Sequence, residues 1–244
     1  MMICEAKEIV TGIADILFPP TCPVCGTVLI NEKAYPFCPE CLSTIHLTIP
    51  PLCTSCGLQF AATEGENHLC EECIVSPPPF SIARSLGKYE TALLDAIHLF
   101  KYHGRISVGE ALGRMMATDR YDSLEIPQYS LIIPVPLHLK RLIERGFNQS
   151  LILARQIAKR FSIPLDFTSL KRTIPTEAQV NLSREKRAAN VRGAFEVMAR
   201  KRIADKKILL IDDVYTTGST VKECSKLLKK SGAKAVAVLT LARA

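Results

Sequence analysis

Tryptophan is absent from this 244-residue chain, and aromatic residues make up only 6% of it. A protein that reads nucleic acid by stacking bases on a row of rings is therefore not indicated, and any contact with a polyanion should rest on charge. No apolar run approaches the ~18 residues of a membrane-spanning helix. Two phosphate-binding motifs are missing as well: neither GxxxxGK[ST] nor GxGxxG occurs, which argues against a P-loop hydrolase and a dinucleotide-binding unit. The opening stretch MMICEAKEIVTGIADILFPP carries Glu5, Lys7, Glu8 and Asp15 and lacks the basic start and small-residue cleavage site of a signal peptide. A cytoplasmic location is expected. Basic residues are scarce early on, with two Lys/Arg against nine Asp/Glu in residues 1–80.

Cysteine, by contrast, is plentiful and patterned, eight of the ten residues falling in CxxC pairs. Cys22, Cys25, Cys38 and Cys41 form one set and Cys53, Cys56, Cys70 and Cys73 another, with 12 and 13 residues between the paired elements. A CxxC turn directs two thiolates to one side of a metal, and a second turn completes a Cys4 tetrahedron. In a reducing compartment this spacing points to metal rather than to disulfides. Two structural Zn²⁺ ions are expected, each set closing its own short loop because that loses less chain entropy than a cross-brace. Four protein ligands leave no open position for a reacting water, so the metals should hold up a module too small to build its own core. Pro77, Pro78 and Pro79 read as a stiff linker, which divides the chain into residues 1–76 and 81–244. Ahead of the cysteines, Ile9, Val10, Ile13, Ile16 and Leu17 recur at helical spacing and predict an amphipathic helix over 3–17.

Residues 81–244 hold 29 Lys/Arg against 15 Asp/Glu, an excess that favours polyanionic ligands. A strand is expected over 81–89, then helices from Leu93 to before Gly104 and from Ser107 to about Thr118. His98 and His103 lie on this segment without a partner acid at a recognisable spacing and read as ordinary histidines. A strand at 131–135 leads into the basic stretch LHLKRLIER. Gly146 suits the stop of that helix and Asn148 the N-cap of the next, over 149–161. Lys140, Arg141 and Arg145 fit this structural account and, equally, a wall facing pyrophosphate. Residues 170–197 are polar, basic and interrupted by Pro175, as in a lid over a polyphosphate. Within them Ser183 is placed to cap a helix carrying Arg184, Arg187 and Asn190.

The stretch ILLIDDVYTTGST at residues 208–220 organises the rest. Its apolar start suits a strand buried on both faces of a parallel sheet. Asp212 and Asp213 follow at the edge where open α/β sheets bind ligands, able to accept from a diol or to hold a divalent cation through water. Thr216, Thr217, Gly218, Ser219 and Thr220 then turn the chain into a helix whose N-terminus favours anions. This order resembles the phosphoribosyl pyrophosphate (PRPP) loop of the type I phosphoribosyltransferases. The resemblance implies that Asp212 and Asp213 bind the ribose hydroxyls, and that the loop Val214, Tyr215, Thr216, Thr217, Gly218, Ser219 and Thr220 holds Mg²⁺–PRPP by its 5′-phosphate.

A wider resemblance covers nearly the whole chain. PVPLHLKRLIERGFNQ, TEAQVNLSREKRAANVRGAF and IDDVYTTGST occur in the order seen in the competence protein ComF family, and CPVCG with its sister pairs is similar to the double zinc ribbon of those proteins. The fold implied is a double zinc ribbon followed by an α/β domain with a mainly parallel sheet of the type I phosphoribosyltransferase kind. The work implied is handling of single-stranded DNA during DNA uptake, beside a helicase-like DNA translocase. Two function classes stand. In one, PRPP binds and the basic domain carries DNA, with Lys140, Arg141, Arg145, Arg184 and Arg187 as candidate pyrophosphate or DNA contacts. In the other the protein is a phosphoribosyltransferase, Asp212 and Asp213 being catalytic: a nucleophile of an unidentified acceptor attacks the anomeric carbon of PRPP, takes the phosphoribosyl group, and pyrophosphate is released.

Overall fold

The computed structural model describes residues 19, 21–29, 37–62, 64–118, 120–175 and 184–244; the helix expected over 3–17 and the cap at Ser183 lie outside them. The cysteine-rich part contributes two short helices, α1 (Pro39–Ser43) and α2 (Glu71–Val75). Then come β1 (Ile82–Lys88), α3 (Thr91–Tyr102), α4 (Ile106–Met116), β2 (Leu131–Pro134), α5 (Leu139–Arg145) and α6 (Gln149–Phe161). The chain continues through β3 (Leu170–Arg172), α7 (Arg184–Val191), β4 (Phe195–Val197), α8 (Arg200–Ile203), β5 (Lys207–Tyr215), α9 (Ser219–Lys230) and β6 (Ala235–Arg243). No helix among the described residues is long and apolar enough to cross a membrane.

Four strands form a parallel sheet in the order β1-β6-β5-β2. Side chains along a strand point alternately to the two faces, and both faces here are covered. Leu209 and Ile211 of β5, with Ala237 and Leu239 of β6 and Ile132 of β2, pack with residues of α3, α4 and α6. Ile208, Leu210, Val236, Val238, Leu131 and Ile133 pack instead with Val221, Cys224 and Leu228 of α9. That is why residues 208–211 of β5 form an unbroken apolar run. Burying each such side chain is worth roughly 1.5–3 kcal/mol.

Local signals set the helix ends. Gly146 closes α5 at φ +79°, and the Asn148 side-chain oxygen accepts from the Leu151 N–H (3.4 Å) at the start of α6. Where the sequence suggested only a basic lid, β3 and β4 pair as an antiparallel ribbon. Strands of three residues are too short to carry a visible alternation.

The cysteines gather as two separate clusters, Cys22–Cys25–Cys38–Cys41 and Cys53–Cys56–Cys70–Cys73, the sulfurs in each lying within 4.8 Å of one another. Sequential pairing thus holds. The Cys25–Cys38 and Cys56–Cys70 sulfurs are 3.5 and 3.7 Å apart, near the ~3.8 Å edge of a tetrahedron with ~2.3 Å Zn–S bonds. Backbone N–H groups of Cys41, Cys56 and Cys70 point at ligand sulfurs, at 3.5, 3.4 and 3.3 Å. Gly26 and Gly57 turn the chain after each first CxxC at φ +76° and +70°, which residues with a Cβ resist. Both donor sets therefore fit structural zinc.

The ribbons also complete the sheet. The outer edge of β1 is capped by their backbone: Thr48 N–H donates to Leu86 (3.0 Å), Lys88 N–H to His46 (2.9 Å) and Ala83 N–H to Ser55 (2.7 Å). Arg84, only 2% exposed, sends its guanidinium into the carbonyls of Cys53, Thr54 and Asp122. Cys22, Phe37 and Cys38 join the core on one side of the sheet, and Cys53, Cys56, Cys70 and Cys73 the core on the other. Purified protein should hold about two Zn²⁺ per chain by elemental analysis, and stripping either ion should unfold its own ribbon, because such sites carry roughly 10 kcal/mol or more of apparent binding energy. Less than one metal per chain, with all eight paired thiols titrating freely in native buffer, would contradict the assignment.

Candidate active site

Strand β5 does not stop at the acids. Its ladder to β2 ends at Pro134↔Ile211, but that to β6 continues through Asp212↔Thr240, Val214↔Ala242 and Tyr215↔Arg243. A ladder is made by backbone groups and is indifferent to side-chain polarity, so the strand outruns the apolar segment visible in the sequence. Beyond Pro134 the two neighbours part, and a cleft of ≈ 1340 Å³ opens. The chain leaving β2 passes to α6 on one face and the chain leaving β5 to α9 on the other. Ligands of open α/β sheets bind at such a switch point.

Asp212 accepts from the Ser150 hydroxyl (3.0 Å) and from the Asp213 N–H (2.9 Å). Burial first, and then the neighbouring Asp213 charge, push its carboxyl up to about 7 against the pull of these donors. Asp213 is paired with the Lys101 ammonium at 3.0 Å, each side chain being 14% exposed. Burial works against the charge on Lys101, yet Asp213 outweighs it and holds the ammonium above its ordinary range. One carboxylate is therefore neutralised by a cation while the other sits close to its own titration point. Lys101 escaped the sequence reading, although a signal existed: it follows Leu94 and Ile97 at i+7 and i+4, and a lysine on the apolar stripe of a helix needs a partner.

After the acids the loop turns at Gly218, whose φ is +72°. The Tyr215 ring fills the space that a side chain at this position would need. Thr217 and Ser219 hydroxyls bond to each other at 2.8 Å. No side chain of the Gly218 N-cap closes α9, and its first turn, Ser219, Thr220 and Val221, lines the cleft.

The opposite wall is basic. Lys140, Arg141 and Arg145 line the same cleft from α5, so the helix-end signals and the wall coexist there. Arg172 joins them from β3, its guanidinium 5.3 Å from the Phe195 ring centroid; burial holds its pKa below the ordinary value. The sequence offered Arg172 only as part of a basic stretch. His98 also reaches the cleft, bonded to the Tyr89 hydroxyl at 2.9 Å. Arg184 and Arg187 lie on α7, their side chains outside the described residues. The cleft thus brings carboxylates that can accept from hydroxyls beside a helix N-terminus and guanidinium groups, both of which favour anions.

Comparison with known proteins bears on the family and the domain content. A family model described as "Double zinc ribbon domain" matches residues 13–74, and one described as "Phosphoribosyl transferase domain" matches residues 148–244. Competence protein F of Haemophilus influenzae is 31% identical, the match covering 85% of this chain and 96% of that protein. DNA utilization protein YhgH of Escherichia coli K12 is 34% identical over 79% of this chain and 84% of its own. Competence protein ComFC of Streptococcus pneumoniae is 25% identical over 84% and 80%. Among solved structures, the glutamine PRPP amidotransferase of B. subtilis overlaps 55% of this chain and 26% of its own at 21% identity and a TM-score of 0.38, too loose a fit to bear on the assignment. With a double zinc ribbon ahead of a parallel-sheet phosphoribosyltransferase domain, and relatives aligned along most of its length, the chain belongs to the ComF family.

Proposed function

We propose that this protein binds Mg²⁺–PRPP in the cleft and single-stranded DNA on its basic surface, serving DNA uptake in the cytoplasm beside a helicase-like translocase. The observation that carries the reading is the convergence of Asp212, Asp213, the Gly218 turn and the Lys140, Arg141, Arg145 wall on one cleft. In this reading the acids accept from the ribose hydroxyls, residues 216–220 take the 5′-phosphate and the basic wall faces pyrophosphate. Mg²⁺ would come as part of the PRPP substrate and would screen the pyrophosphate charge. Relatives named for competence and for DNA utilization support the second half.

A second reading, phosphoribosyl transfer with release of pyrophosphate, is favoured by the size of the cleft. Small-ligand sites usually measure about 300–1,000 Å³, and this one, at ≈ 1340 Å³, extends past the acids to Tyr89, His98 and Tyr102. That leaves room for an acceptor. Catalysis there would come from positioning and from stabilising the leaving pyrophosphate. A pyrophosphate-release screen with nucleobases and single-stranded DNA as acceptors separates turnover from binding.

Calorimetric titration with PRPP and Mg²⁺ should give saturable binding that Asp213→Asn weakens by roughly 1.5–3 kcal/mol. Gly218→Val should abolish it, since a side chain meets both the φ requirement and the Tyr215 ring. Equal affinity in all three proteins would place the phosphate site elsewhere.

Affinity should also rise between pH 6 and 8, because Asp212 keeps its proton up to about 7, and Asp212→Asn should flatten that part of the profile. The same shift has an opposite effect on stability. An unfolded Asp ionises near ~3.9, so the folded chain binds more protons from there up to about 7, and stability should fall as pH rises across this window. Denaturant titrations of wild type and Asp212→Asn from pH 4 to 8 measure the difference; parallel curves would contradict it.

Single-stranded DNA should bind with a log–log salt slope of about −0.7 per phosphate neutralised. Replacing Arg184, Lys186 and Arg187 together by Ala should flatten the slope by up to about two units and leave the zinc content unchanged. Binding that ignores salt would leave the PRPP-dependent enzyme as the better account.

A further inference from the structure

We infer that Arg243 makes the second zinc ribbon a positioning part of the phosphate loop, so that the order of residues 215–220 depends on the Cys53–Cys56–Cys70–Cys73 cluster rather than on Cys22–Cys25–Cys38–Cys41. The inference rests on the reading of this loop as a phosphate site. It concerns what holds the loop, where that reading concerns what the loop holds.

Arg243 ends β6 directly opposite Tyr215 in the parallel register. One guanidinium nitrogen, Nη1, donates to the Cys56 carbonyl at 2.6 Å, and Nη2 points at the Cys56 sulfur at 3.5 Å. The plane of the same group lies over the Tyr215 ring, 4.2 Å from its centroid. Tyr215, 4% exposed, in turn fills the space next to the Gly218 Cα. Phe80 meets that ring edge-on at 6.4 Å. A chain of direct contacts therefore runs from a zinc ligand through Arg243 and Tyr215 to the turn. A second strut runs beside it, because Lys222 of α9 pairs at 2.6 Å with Glu72 of α2, the helix that also carries Cys73.

The chemistry suits a metal-dependent anchor. Four thiolates around one Zn²⁺ leave a net charge of about −2, which attracts the guanidinium and keeps it at Cys56. Only arginine can donate to an oxygen and a sulfur in one plane while its face rests on an aromatic ring. The first cluster is placed differently, with Cys22 and Cys38 in the core on the other side of the sheet, together with Leu86, Leu93 and Ile97.

The test compares hydrogen–deuterium exchange of residues 213–222 in the unliganded full chain with PRPP affinity and zinc content. Arg243→Met should keep both metals, raise exchange across 213–222 several-fold and weaken PRPP by about tenfold or more, as expected when a binding loop is misplaced. Arg243→Lys, which keeps the charge and loses the planar contacts, should behave as Arg243→Met does. Cys70→Ser, which opens the second cluster without touching Arg243, should give the same loop exchange. Cys25→Ser should raise exchange around residues 22–45 and leave 213–222 at the wild-type level. Unchanged loop exchange in Arg243→Met, or equal loosening by both cysteine variants, overturns the inference. Should the wild type ignore PRPP, the ligand assignment fails, and the exchange data alone decide whether the ribbon orders the loop.

Discussion

Two adjacent carboxylates at the mouth of a sheet covered on both faces are unstable unless something answers their charge, and the Lys101–Asp213 pair is that answer. Withdrawing an ion from water costs several kcal/mol even after relaxation, and an unpaired one at this depth would be worse. Lys101 can reach Asp213 only if α3 is seated correctly, which Leu93, Ile97 and Phe100, each 0% exposed, ensure by packing under the sheet. Asp212 depends likewise on α6, which brings the Ser150 hydroxyl to 3.0 Å. The helices that build the core on one face are thus the same ones that make the acid pair tenable.

On the other face the division of labour differs. There α9 follows directly on the Gly218 turn, and the second ribbon packs against that helix and against the end of β6. The cleft therefore lies between a wall fixed by apolar packing and a wall backed by the second cysteine cluster. All the residues that line the cleft lie between Tyr89 and Ala244, and the second ribbon touches this part of the chain through Arg243 and Lys222.

Much of this was legible in the sequence because its signals are local. The two cysteine sets declare their own pairing by spacing, Gly146 and Asn148 mark helix ends within a few residues, and the 208–220 stretch carries strand, acids and turn in one line. What stayed hidden depends on partners distant in the chain. Nothing near Lys101, Ser150 or Arg243 announces Asp213, Asp212 or Cys56, since the sheet order brings them together and a single sequence does not print that order. Arg172 was visible only as charge. The extension of β5 through Tyr215 was concealed because backbone pairing with β6, and not hydrophobicity, sustains it.

The ribbon backbone that caps β1 has one more effect. Residues 82–88 are nearly all buried, and among the described residues the segments around His46, Thr48 and Ser55 cover their hydrogen-bonding edge. A bare, apolar strand edge is a template for pairing with another chain. Loss of the ribbon fold would uncover this edge and thin the core on both faces of the sheet, and pairing of β1 with a second copy would then be a hazard that grows with protein concentration rather than with denaturant.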